Sequence, residues 1–77
     1  MNYIAIFLDE KGRALSNNNT GDYINIQLGD FDNIHQATEC ANNLFDGYEV
    51  KEGVIWSKSC FGGVLITANV HKNNSFY

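Results

Sequence analysis

Hydrophobic and polar positions alternate along most of this chain in short runs, with a single change to helical spacing near the middle. From Tyr3 to Leu8 the apolar run is continuous, which places Ile4, Ile6 and Leu8 on one side of a strand and Tyr3, Ala5 and Phe7 on the other. Asp9-Glu10-Lys11-Gly12 has turn chemistry, as has Ser16 to Gly21, and Arg13-Ala14-Leu15 between them suits a short strand extension. Tyr23 to Leu28 alternates as a half-buried antiparallel strand does, with Ile24, Ile26 and Leu28 opposed to Tyr23, Asn25 and Gln27.

Asn33 followed by Gln36 has the spacing of a capping box, and Asp30 and Asp32 favour the positive end of a helix. Ile34, Ala37, Ala41, Leu44 and Phe45 recur on one stripe, which predicts a helix over 33–46 that stops at Asp46-Gly47, with Gly47 in the left-handed position after the last turn. Tyr48 to Ser57 then reads as one strand bulged or bent at Gly53, and Ser59 to Gly63 as a turn. Val64 to His71 alternates as a last strand, and 72–77 is expected to fray.

The order ββαββ predicts an α+β fold in a single small domain over 1–77: a four-stranded antiparallel sheet with one helix on one face. On this reading the aliphatic sides of the strands lie beneath the helix. Tyr3, Phe7, Tyr23, Leu65 and Trp56 then populate the opposite, uncovered face.

Composition narrows the picture. With 44% hydrophobic and 13% aromatic residues among 77, the chain has enough apolar surface to fold. A domain this short buries roughly 60% of its unfolded surface and has little material for a deep cleft. No apolar run approaches the roughly 20 residues that cross a bilayer, so no membrane role is expected. Met1-Asn2-Tyr3 leads into the first strand with neither a basic n-region nor a small-residue cleavage site, so the expected compartment is the cytoplasm and Cys40 and Cys60 are expected as reduced thiols. Abundant Asn, Ile, Tyr, Phe and Lys, no proline, and Arg13 as the lone arginine match AT-rich codon usage, as in AT-rich bacterial or phage genomes.

Candidate chemistry is sparse. His35 and Cys40 lie about 140° apart around a helix axis and cannot chelate one ion together, while Cys60 and His71 are distant in sequence, so no metal is expected. Cys60, beside Lys58 and Gly62-Gly63, is read as an ordinary turn thiol rather than a nucleophile. Gly62-Gly63 precedes a strand, not a helix whose amide ends bind phosphate, and suits a hairpin turn without a cofactor. The carboxylates are scattered, so the chain is expected not to be an enzyme. A net charge of −4 with Lys11, Arg13, Lys51, Lys58 and Lys72 as the cations disfavours direct nucleic-acid binding.

Tyr3-Ile4-Ala5-Ile6-Phe7, Tyr23-Ile24-Asn25-Ile26 and Asp32-Asn33-Ile34-His35-Gln36-Ala37 together resemble the N-terminal half of HicB-type antitoxins, over roughly the first 45 residues at most. That family's glycine- and proline-rich stretch between second strand and helix is missing, and no DNA-binding tail follows Val70. The resemblance therefore bears on fold class more than on activity. The functional expectation is a small acidic interaction module that occupies a surface, with a basic character, on a larger host protein or complex. Phage-encoded inhibitors of nucleic-acid-handling or defence complexes, anti-CRISPR proteins among them, are the class this suggests. Tyr3, Phe7, Tyr23 and Trp56 are the expected aromatic anchors, and Asp22, Asp30, Asp32, Glu49 and Glu52 the expected acidic contacts. An antitoxin-like or nucleic-acid-associated regulator and a self-associating subunit, such as a homodimer, are the alternatives.

Overall fold

A computed structural model describes residues 1–58 and 62–69. Five strands and one helix follow in the order β1 (Asn2–Leu8), β2 (Asn25–Asp30), α1 (Ile34–Leu44), β3 (Gly47–Lys51), β4 (Val54–Ser57) and β5 (Gly63–Ala68). The strands form one sheet, ordered β2-β1-β5-β4-β3, in which every neighbouring pair is antiparallel. The fold is α+β as expected, with five strands rather than four.

The extra strand comes from Tyr48 to Ser57, which is a hairpin and not one bulged strand. Lys51 pairs with Val54 and leaves Glu52-Gly53 as the connection. Gly53 has φ 85° there, a backbone conformation that side chains with a Cβ rarely adopt. Its carbonyl accepts the Ile66 N–H at 2.6 Å, which ties the turn to the neighbouring strand.

The helix starts where its cap residue predicts. Asn33 is extended, and its side-chain oxygen accepts the Gln36 N–H at 3.0 Å, while Gln36 Oε1 reaches back to the Asp32 N–H at 3.2 Å. At the other end Phe45 leaves the helix in an extended conformation, so the helix is shorter than 33–46 and Gly47 begins β3 instead of occupying a left-handed cap. The buried helical stripe is Ala37, Thr38 and Ala41, with Leu44 outside it and 62% exposed. Thr38 is satisfied within the helix, since its Oγ1 donates to the Ile34 carbonyl at 2.7 Å.

The core lies between the helix and the face carrying Tyr3, Ala5, Ile55, Val64 and Ile66, with Phe7, Leu28, Phe31, Ile34, Phe45 and Ala68 packed around it. This reverses the predicted assignment of the β1 faces. Small side chains suit this choice: Ala5, Ala37 and Ala41 are all fully buried, which lets the helix lie close over β1. Tyr3 and Phe7 flank Ala5, and their rings meet Phe31 and Phe45 at centroid distances of 6.4 and 5.8 Å. Both are therefore under the helix side of the sheet and not on its opposite face.

Between β1 and β2 the chain makes an excursion held by bridges from Leu8 to Ala14 and from Ser16 to Tyr23. Phe7 ties it down, donating to the Ile24 carbonyl at 2.9 Å and accepting the Leu15 N–H at 2.8 Å. Arg13 to Leu15 thus contributes a bridge rather than a strand of its own, and β2 begins at Asn25, two residues after the predicted start.

Candidate interaction face

The strand register identifies what occupies the sheet face away from the helix. Tyr48 lies opposite Trp56, Trp56 opposite Gly63, and Gly63 opposite Leu8; Val54 lies opposite Leu65, Leu65 opposite Ile6, and Ile6 opposite Asn25. Directly opposed residues share a face, so these rows, with Ile4 and Thr67, make a continuous and largely apolar side of the sheet, on which Ile6, Leu8 and Gly63 are buried, Ile4, Val54, Trp56, Leu65 and Thr67 are half-buried, and Tyr48 and Asn25 are exposed. Trp56 is half-buried and packs across Gly63, where an added Cβ would lie 2.9 Å from the indole Cε3. Tyr48 is 49% exposed at the β3 edge.

At the other end of this face Ile4, Ile6, Asp22, Tyr23, Asn25 and Asn69 line a concavity of about 340 Å³. Ile6 is buried and Ile4 half-buried, whereas Tyr23 is 56% exposed and Asp22 is exposed. The excursion brings Asp22 and Tyr23 here: Asn17 donates to the Asp22 carbonyl, and the Asp22 N–H is accepted by Thr20 Oγ1 at 3.2 Å. Asn25 Nδ2 donates to the Tyr23 carbonyl at 2.9 Å, which orients that amide.

Of the nine expected contact residues, Asp22 and Tyr23 share this concavity, and Trp56 lies elsewhere on the same face. Tyr3, 6% exposed, and Phe7 belong to the helix side, so neither is on the open face as expected. Glu49 lies opposite the core residue Ile55 and so projects from the helix side of the sheet, and Glu52 is in the β3–β4 turn; both are exposed. Asp30 sits at the far end of β2 and binds the N-terminal amine at 2.6 Å, which holds its carboxyl below the ordinary aspartate range, first by the hydrogen bond and then by the amine's charge. Asp32 is at the helix entry. The acidic groups are thus spread over several places and form no single cluster.

Sequence patterning missed Ile4, Ile6 and Asn25 as members of this site, because it had placed the two isoleucines beneath the helix.

A second concavity, of about 350 Å³, lies among Asp9, Glu10, Lys11, Arg13 and Leu15. Asp9 Oδ1 accepts the backbone N–H groups of Lys11 and Arg13 at 2.9 Å each, and Arg13 Nε lies 3.4 Å from Asp9 Oδ2. Those contacts hold the Asp9 carboxyl below its ordinary range, the Arg13 N–H foremost.

Among the described residues no three His, Cys, Asp or Glu side chains come together in a way that could hold a metal ion, and no helix is long and apolar enough to cross a membrane. Cys40 is half-buried on the helix; Cys60, His71 and the 72–77 tail lie outside the described residues. Comparison of the chain with protein-family models, curated proteins and solved structures gives no match.

Proposed function

We propose that this protein is an interaction module that docks on a basic surface of a larger protein and acts by occluding it, as phage-encoded inhibitors of nucleic-acid-handling or defence complexes do. The observation that carries this reading is the sheet face opposite the helix, where apolar positions are joined to the exposed Tyr23 and Asp22. Aromatic side chains bury much area for little lost conformational freedom, which makes them effective interface anchors. A net charge of −4 favours encounter with a cationic partner and disfavours a polyphosphate backbone.

The test is capture from host lysate on the immobilised protein at moderate and high salt, with identification of retained proteins by mass spectrometry. Salt-sensitive retention of one nucleic-acid-handling or defence complex is the expected result. Retention of nucleic acid without protein would favour the antitoxin-like regulator, and recovery of this chain alone would favour self-association.

A further inference from the structure

We propose that the concavity beside Asp22 and Tyr23 receives an arginine side chain of the partner, an inference that rests on the interaction role above and names what this part of the face recognises. Ile4 and Ile6 give it an apolar floor of the kind that covers the methylene stem of a long cationic side chain. Tyr23, 56% exposed, offers a ring face on which a planar guanidinium stacks. Asp22 is exposed and enters no ion pair among the described residues, so its carboxylate is available for two parallel charge-assisted hydrogen bonds.

Asn25 completes the set, because its Nδ2 is committed to the Tyr23 carbonyl and its amide oxygen remains as an acceptor. No lysine or arginine is among the described lining residues, so none of them opposes an incoming positive charge. The volume of about 340 Å³ is at the small end for ligand sites, a size for one long side chain rather than an extended cofactor. Arginine fits better than lysine, since a flat guanidinium can stack on the ring and present a donor fork to the carboxylate at once, which a compact ammonium cannot.

The test follows backbone amide shifts by NMR at low salt while N-acetyl-Gly-Arg-Gly-amide is added, with the lysine peptide and the neutral, isosteric citrulline peptide as comparisons. The arginine peptide is expected to move the amides of Ile6, Asp22, Tyr23 and Asn25 with a dissociation constant in the ~1 mM range, and citrulline to bind at least about tenfold more weakly. Asp22→Asn and Tyr23→Leu alter exposed side chains, and each is expected to weaken the arginine response while leaving the rest of the spectrum in place. Equal responses to arginine and citrulline, or an unchanged response in Asp22→Asn, would overturn the proposal. Shifts confined to Glu49 and Glu52 would overturn the pocket and leave an acidic docking surface standing. An absent peptide response in a protein that still captures a basic partner, equally in wild type and Asp22→Asn, separates loss of the pocket from loss of the interaction role.

Discussion

Ala5 lies on the side of β1 that meets the helix, and its small size suits that place. Both sides of β1 are apolar, so alternation alone assigns neither to the core; the fold puts Ala5 in the same buried cluster as Ala37 and Ala41. Size matters likewise at Gly63 on the opposite face, where its missing side chain admits the Trp56 ring and the Ile55 carbonyl. Gly63→Ala is therefore expected to cost about 1–3 kcal/mol in urea denaturation, with Trp56 fluorescence altered in the native state. Among the described residues, Asp9 and Asp30 are the ones whose titration the fold shifts. Both carboxyls are held below the ordinary aspartate range, so each releases its proton more readily in the folded than in the unfolded chain. Their contributions to stability are present above the unfolded-chain value and disappear as pH falls through the folded one. Carbon-detected carboxyl titration is expected to place both below the value of an unstructured aspartate, and Met1 amine acetylation to raise Asp30 alone.

Among the elements, the helix was the most legible in the sequence, because Asn33 and Gln36 carry a local signal whose physics needs no tertiary context. Asn33→Ala is expected to lower stability by ~0.5–2 kcal/mol, measured by chemical denaturation, with helical circular dichroism retained at low denaturant. The end of the helix was less legible, since Phe45 leaves it in an extended conformation with its ring against Phe7 of β1, a contact that depends on the sheet. β1 and β5 were recognisable from their apolar runs. The β3–β4 hairpin was not, because Gly53 interrupts two strands of only five and four residues, and a glycine there suits a bulge as well as a turn until Lys51 is seen to pair with Val54. The two edge strands share a feature that no periodicity announces. Leu28 in β2 and Val50 in β3 are each left without an opposite partner, so a bulge interrupts both outer strands. Bulged edges resist pairing with a second chain, and light scattering over a dilution series is expected to give the monomer mass of 8.6 kDa. A mass of twice that value at micromolar concentration would return self-association to first place.

For the whole molecule, one layer of helix on one face of a five-stranded sheet leaves an apolar face with an aromatic and acidic corner, and the candidate site follows from that asymmetry. Composition and charge suggested a binding role, and of the residues singled out for it Tyr23 and Asp22 line the concavity while Trp56 lies on the same side of the sheet. Tyr3 and Phe7 were not separable from them without knowing the parity of β1, and Ile4 and Ile6 were missed for the same reason. The most direct measurement of the central claim is the affinity of the captured partner for the wild-type protein and for the Asp22→Asn/Tyr23→Leu double variant, by titration calorimetry at two salt concentrations. Docking through this corner of the open face predicts at least about tenfold weaker binding by the folded variant and a smaller salt dependence than wild type. Equal affinity and equal salt dependence in the two proteins would contradict it.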